Sequence, residues 1–422
     1  MRSLPERSVG EYGSLYLAED ELTGRDLARL RELQARKRLT LAAARPGWVL
    51  TAGATVGVLV LDRLRLVVEP KTALTGEQLV RWLCYALATP VPHRATLRGW
   101  ATDRTGYADL VAAALLAECR TLLRDGLRRD YLAEDRVEPV LRGRLDVTAQ
   151  ATRRYGMLDK LHVRTFERRP DVWENRICGT ALAAAVTGTA DPALARALAD
   201  LASAFPADAT PNASLRALDR ARYHRLNARY RPAHTWAGLV LRGGGVTGLL
   251  ADGEHHADSL LLDLPRLWEE VVRRLAAEAA RPLGGRIVPS RGSTAIRKSG
   301  DLSPHPGFHP DVLLDFGSPG TGNRQPLFPL DAKYKQYDER SVSSSDVHQL
   351  LTYTAGYRSG TNPCSAIVYP SPGGLRHRTL RVAGPHGPLG TVHVLGLDTS
   401  ATPERCAAAV RELCLGDPGR RV

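Results

Sequence analysis

Six cysteines are scattered through 422 residues with no CxxC pair and no spacing that suits a zinc site. Cys84, Cys119, Cys178, Cys364, Cys406 and Cys414 therefore read as reduced, mostly buried thiols of a cytoplasmic protein, and a disulfide scaffold is excluded. Long apolar runs are missing too: the longest, LVAAALLAEC, is about half a membrane span. The opening MRSLPERSVGEYG has no apolar stretch of the kind a secretory signal needs, so a cytoplasmic protein with no membrane partner is expected. No segment supplies the GxxxxGK[ST] of a phosphate-binding loop, and the Gly-rich RGGGVTG does not match it. A nucleotide-driven motor, where one is needed, has to be another chain. Internal repeats are absent as well.

Negative charge is short. Against 58 Lys and Arg stand 45 Asp and Glu, a formal net charge of +13. That excess suggests a polyanionic partner, nucleic acid first and an anionic membrane surface second. An arginine-rich composition accounts for part of it.

What is there reads as alternating β-rich and helical blocks. DLARLRELQARKRL is helical, and WVLTAGATVGVLVLDRLRLVVEPK gives successive short strands broken near Gly53 and Gly57. TGEQLVRWLCYAL follows as an amphipathic helix that Thr75 is placed to cap. Residues 107–132 predict a helix, VLRGRLDVTAQ a short strand-like segment, and 170–205 a long helical stretch. A further helix is predicted over 215–229, and residues 243–248 are Gly-rich and loop-like.

Four consecutive segments near the end carry chemistry. In LPRLWEEVVRRLAAEAA, at about 100° per residue, Trp268, Val271, Val272 and Leu275 form one stripe. Glu269 sits at its edge and Glu270 nearly opposite. In PDVLLDF, strand alternation puts Asp311, Leu313 and Asp315 on one face, and in FPLDAKYK it puts Asp331, Lys333 and Lys335 together. Paired as a hairpin across the loop 317–327, the two strands bring Asp311 toward Asp331 and Lys333. DVHQLLTYTAGY is a helix expected to bury Val347, Leu350, Leu351 and Thr354, with Gln349 and Tyr353 one turn apart on the opposite face.

Two carboxylates converging at a strand end repel each other and call for a cation between them. Oxygen ligands without thiols or paired histidines suit Mg²⁺ or Mn²⁺. A lysine beside that cation orients or helps activate a water while the metal neutralises a scissile phosphate. The reading is phosphodiester hydrolysis, with Asp311, Asp331, Lys333 and Gln349 as catalytic candidates. Asp311, Asp331, Glu269 and the Ala332 carbonyl are the metal-ligand candidates, and Tyr353 is a supporting one. The bland alternative for Asp331 and Lys333 is a half-exposed strand pair. For Tyr353 it is an aromatic packing helix on sheet. Arg142, Arg144, Arg168 and Arg169 are candidate phosphate contacts or plain solvated surface. Adjacent His255 and His256 lie in a turn-rich segment and make a poor metal pair.

The order helix Glu, Pro-Asp, Asp-x-Lys and Gln-x-x-x-Tyr resembles the PD-(D/E)XK nuclease superfamily. Pro310-Asp311 stands as its first motif, Asp331-Ala332-Lys333 as its second and Gln349…Tyr353 as the QxxxY of several branches. More narrowly, LRLVVEPK, LRGRLDV, WENRICGTAL, LWEEVV, HPDVLLDF and LDAKYK…DVHQLLTYTAGY resemble the McrC family, nuclease subunits of 5-methylcytosine-specific (type IV) restriction systems. The resemblance implies an α+β / α/β protein with a β-rich N-terminal domain over 1–155 that docks on a partner NTPase. Residues 156–422 would form a helical region and a nuclease domain with a central mixed sheet flanked by helices, its catalytic core at about 260–400. It further implies double-stranded, modified DNA as substrate and a separate McrB-like AAA+ GTPase or ATPase hexamer as partner. Two rival readings fit the residues as well. One is a non-catalytic DNA-binding adaptor or regulator of such a motor, the other a stand-alone nuclease.

Overall fold

The computed structural model describes residues 4–69, 76–88, 107–157, 159–189, 191–206, 210–242, 259–297, 307–317, 327–335, 337, 341–357 and 363–415. Thr75, the segment 243–248, the His255-His256 pair and most of the 317–327 loop lie outside them. The chain packs into two compact units. One combines Met1–Gly57 and Leu61–Val91 with Leu262–Val422, and the other combines Val58–Val60 with Pro92–Leu261.

The first part of the chain runs β1 (Glu6–Gly10), β2 (Ser14–Ala18), α1 (Gly24–Ala35), β3 (Leu39–Ala44), β4 (Gly47–Ala52), β5 (Thr55–Val60), β6 (Arg65–Glu69) and α2 (Gly76–Ala86), all in the first unit except the last three residues of β5. β1 pairs parallel with β6, while β2, β4 and β3 form an antiparallel sheet. Leu66, Val67 and Val68 are buried in succession, as a strand covered on both faces requires. α1 opens with a reciprocal cap: Asp26 N donates to Thr23 Oγ1 at 3.2 Å, and Thr23 N donates to Asp26 Oδ2 at 2.9 Å. The other Asp26 oxygen accepts from Asp62 N at 2.9 Å, which ties the helix to the β5–β6 turn.

The second unit holds α3 (Tyr107–Arg124), β7 (Asp130–Glu138), β8 (Arg144–Leu145), α4 (Val147–Arg153), β9 (Leu161–Arg169), α5 (Trp173–Gly188), α6 (Pro192–Ala202), α7 (Pro211–Asp219) and α8 (Arg231–Leu241). Its boundaries correct the sequence reading at several points. α3 stops at Arg124, before Gly126 at φ +84°, and residues 130–132, expected to end that helix, instead open β7, which pairs antiparallel with β9 along its length. Within VLRGRLDVTAQ only Arg144–Leu145 is strand, because Asp146 caps α4 by accepting from Ala149 N at 2.9 Å. The 170–205 stretch is two helices, since Asp191 caps α6 and Pro192 starts it. The helix expected over 215–229 begins instead at Pro211 behind the Thr210 cap and ends at Asp219.

The chain then returns to the first unit through β10 (Ser259–Asp263), α9 (Leu264–Ala280), β11 (Arg286–Val288), β12 (Val312–Asp315), β13 (Leu327–Ala332), α10 (Ser344–Gly356), β14 (Cys364–Ser371), β15 (Arg376–Gly384), β16 (Gly387–Asp398) and α11 (Pro403–Leu415). Six of these strands form a mixed sheet in the order β11-β12-β13-β14-β16-β15, with β13, β14 and β16 mutually parallel and the rest antiparallel. Leu313, Ile367, Tyr369, Val392 and Val394 make one core with Leu350, Tyr353 and Tyr357 of α10 and its end. Val312 and Leu314, on the opposite side of the pleat, are also fully buried, and α9 packs against β12, β13 and β14. The fold is mixed α/β, with a central mixed sheet flanked by helices, as expected.

The division at residue 155 differs from the packing. α2 lies against α9 in the same unit: Trp82 meets Trp268 edge-on at 6.2 Å, Trp82 Nε1 donates to Thr399 O at 2.9 Å, and Arg274 Nη1 donates to Tyr85 O at 2.7 Å. The aromatic stripe of α2 needs a partner surface, and the C-terminal portion supplies it 180 residues later in the chain. Periodicity in sequence cannot report such a return. Among the described residues no helix is long and apolar enough to cross a membrane.

Candidate active site

The antiparallel register of β12 and β13 pairs Val312 with Leu330 and Leu313 with Pro329, so Asp311, the residue before β12, comes to the Asp331–Ala332 end of β13. Burial along both strands leaves charge only where the pairing ends. Asp331 is 2% exposed, and Asp311 Oδ2 accepts the Ala332 backbone N–H at 2.8 Å. Lys333 Nζ stands 2.7 Å from Asp331 Oδ2 and donates to Gln349 Oε1 at 3.0 Å. Gln349 Nε2 donates to the Tyr353 hydroxyl at 2.8 Å and lies 3.4 Å from Asp331 Oδ1. Tyr353 in turn donates to His309 O at 2.7 Å. Strand, lysine, helix and the lead-in to Asp311 thus form one connected chain of polar contacts.

Glu269 reaches this end of the sheet from α9. Its neighbour Trp268 donates Nε1 to Val368 O at 3.0 Å, the same carbonyl that accepts from Lys333 N at 3.0 Å. One turn on, Arg273 Nη2 donates to Asp311 O at 2.8 Å. Glu269 is half-buried, and burial holds its carboxyl above the usual range, with Asp263 and Asp331 pushing the same way against Arg266 and Arg273. Among the described residues no group of three His, Cys, Asp or Glu side chains is close enough to hold a metal ion, so Glu269 does not complete a three-carboxylate cluster.

Burial pushes Asp311 up to about 7, and the Asp331 and Glu269 carboxylates add to the rise. Burial raises Asp331 as well, against the pull of the Lys333 ammonium. For Lys333 burial works downward, but the Asp331 and Asp311 charges outweigh it and the ammonium is held above its ordinary range. Asp331 Oδ2 is buried, and the ammonium at 2.7 Å is its one close partner among the described residues. Two crowded, buried carboxylates that share one ammonium are hard oxygen donors. They fit Mg²⁺ or Mn²⁺, with water and phosphate completing the shell.

The structure brings Asp311, Asp331, Ala332, Lys333, Gln349 and Tyr353 together, with Glu269 at the margin. Other expectations change. Gln349 and Tyr353 face the sheet rather than turning away from it: Tyr353 is 1% exposed, whereas Val347 and Leu351 are only half-buried at the flanks. Asp315 shares a face with Asp311 but sits at the other end of β12, paired with Arg286 at 3.0 Å. Lys335 is taken by Asp346, at 2.8 and 2.9 Å. Arg169 is engaged by Glu134 and Glu167 on the ribbon, whereas Arg142, Arg144 and Arg168 have no ion pair among the described residues.

Sequence reasoning missed Asp346. It is 4% exposed and accepts from Tyr337 OH and Ser343 Oγ at 2.7 Å each, in addition to Lys335. Burial works against its ionisation, yet those hydrogen bonds hold it below the usual carboxylate range. Ser343-x-x-Asp346, a helix-opening pattern, was the available signal. Nothing local could have signalled Arg273, whose contact is to a main-chain oxygen 38 residues away.

Comparison with known proteins places the chain in a family. No curated protein matches the sequence. A chain in the refined half-complex from a tetradecameric assembly of Thermococcus gammatolerans McrB AAA+ hexamers with bound McrC is similar in structure. Its TM-score is 0.66 at 16% identity, covering 97% of this chain and 100% of that one. A chain of the Thermococcus gammatolerans McrBC complex solved by cryo-electron microscopy aligns with TM-score 0.48 at 18% identity, over 65% of this chain and 88% of that one. The family model for the McrBC 5-methylcytosine restriction system component matches residues 50–370, well over half of the sequence, and the chain belongs to that family.

Proposed function

We propose that this chain is the Mg²⁺-dependent DNA endonuclease subunit of a modification-dependent restriction complex, of PD-(D/E)XK type. The observation that carries the proposal is the Lys333 ammonium between Asp331 Oδ2 at 2.7 Å and Gln349 Oε1 at 3.0 Å, with Asp311, the residue before the paired strand, accepting from Ala332 N at 2.8 Å. Asp311 and Asp331, with the Ala332 carbonyl and Glu269 at the margin, would hold Mg²⁺ or Mn²⁺. The bound metal supplies charge neutralisation at the scissile phosphate and a more acidic water. Lys333, fixed by Asp331 and Gln349, orients the attacking water over the phosphate. Gln349 holds the lysine, and Tyr353 holds Gln349.

The partner is a separate McrB-type AAA+ GTPase or ATPase. Family membership supports this, as do the similar structure, in which McrC is bound to McrB hexamers, and the lack of any phosphate-binding loop in this sequence. Modified double-stranded DNA is the expected substrate. The test is cleavage of long duplex DNA by the chain with and without the motor, given GTP or ATP and Mg²⁺. Cleavage only with motor and nucleotide supports the proposal and names the nucleotide. Cleavage without the motor makes the chain a stand-alone nuclease, and stimulated nucleotide hydrolysis without cleavage makes it an adaptor.

A further inference from the structure

The segment WENR, singled out in the sequence, has no work in the proposed nuclease. It builds one wall of a cleft of about 780 Å³ in the second unit. We infer that this cleft is a second ligand site that takes a nucleotide, phosphate and base together, either free or as one residue of a DNA strand.

The segment divides its labour. Glu174 and Asn175 point inward and are fully buried. Asn175 Nδ2 donates to Arg128 O at 2.8 Å and to Pro170 O at 2.6 Å, and its Oδ1 accepts from Tyr230 OH at 2.6 Å. Glu174 accepts from Asn227 Nδ2 at 3.0 Å and pairs with Arg128, which pins that guanidinium from behind. Trp173 and Arg176 line the cleft instead, and Asp171 fixes Arg176 with two contacts at 2.5 and 2.6 Å.

The opposite wall is the stretch after α7, with Arg220, Arg222 and His224. Arg220 and Arg222 are exposed and have no ion-pair partner among the described residues. The acids on the lining, Asp130 and Asp171, are both spent on Arg128 and Arg176. The positive charge that remains over is that of Arg220 and Arg222, whose guanidinium groups are free to pair with phosphate oxygens. Aromatic surface stands beside it. The half-buried Trp173 ring packs on His234 at 5.3 Å, and Tyr131, 66% exposed, also lines the cleft. A base stacks on such surface whatever its sequence. The volume is in the range of small-ligand sites, roughly 300–1,000 Å³.

The site does not depend on the nuclease reading. Its test is calorimetric titration of the full chain in metal-free buffer with GTP, ATP and single-stranded octathymidylate. Wild type is compared with Arg220→Ala/Arg222→Ala, whose exposed side chains leave the fold intact, as a melting curve checks. Wild type is expected to bind, and the double variant to bind at least tenfold more weakly. Its salt slope for the oligonucleotide should be shallower by about 1.4, two phosphate contacts at about 0.7 each. Binding of the triphosphates alone identifies a free nucleotide as the ligand, and binding of the oligonucleotide alone identifies a DNA strand. Wild-type affinity retained in the double variant, or no binding of any probe to wild type, overturns the inference.

Discussion

The Tyr353 hydroxyl donates to the His309 carbonyl at 2.7 Å, 44 residues back along the chain and two residues before Asp311. The same oxygen accepts from Gln349 Nε2 at 2.8 Å. One phenol thus sets the height of α10 over the sheet and the approach of the chain to Asp311. Tyr353→Phe keeps the ring in its core but leaves the part-buried His309 carbonyl without that donor and the Gln349 amide with only its longer contact to Asp331, at a cost of about 1 kcal/mol. Chemical unfolding should show that loss. Single-turnover cleavage in the motor complex should slow, with DNA affinity unchanged.

Asp346 ties the strand exit to the helix carrying Gln349. Its carboxyl is held below the usual range in the folded protein, so its contribution is present above the unfolded aspartate range and is lost as pH falls through the folded value. Asp346→Asn should lower stability near neutral pH by about 2 kcal/mol, most of it from the buried hydrogen bonds, because Lys335 is half exposed and its charge is screened. Denaturant titrations at neutral and acid pH should show the gap between variant and wild type closing on acidification.

Asp311 and Asp331 have the opposite sign. Folded, both keep protons above about 3.9, where aspartates in an unfolded chain release theirs. The metal-free protein should therefore lose stability as pH rises from about 4 toward about 7, since the unfolded state sheds protons first. Divalent cations need the ionised carboxylates. Millimolar Mg²⁺ should raise the melting temperature clearly at about pH 8 and hardly at about pH 5. Asp311→Asn should abolish the difference.

Glu269 stands at the margin of the site, and its role is separable from that of the aspartates. Glu269→Gln should raise the Mg²⁺ concentration for half-maximal cleavage by about tenfold, with most of the rate recovered at saturating metal. A loss that excess metal leaves unrepaired would assign Glu269 to the chemistry instead.

Much of this site is legible in the sequence because strand alternation is strict. PDVLLDF and FPLDAKYK fix which residues share a face, and antiparallel pairing then brings Asp311 to Asp331. Helix α9 is equally plain, since its stripe from Trp268 to Leu275 is buried as projected. The orientation of α10 is not, because its sheet-facing side mixes Leu350 and Thr354 with polar Asp346, Gln349 and Tyr353. A binary apolar pattern misplaces a helix face whose polar groups are buried by hydrogen bonding to one another. The second unit is the least legible: β7 and β9 form a charged ribbon of Arg and Glu pairs, without the apolar alternation that marks a half-buried strand.

Lys333→Ala in the assembled motor complex is the most direct measurement. DNA cleavage should fall by at least about a hundredfold, the scale of a lost proton-handling or water-orienting group, while nucleotide hydrolysis by the partner is unchanged. Cleavage at the wild-type rate would contradict a catalytic site at Asp331 and Lys333.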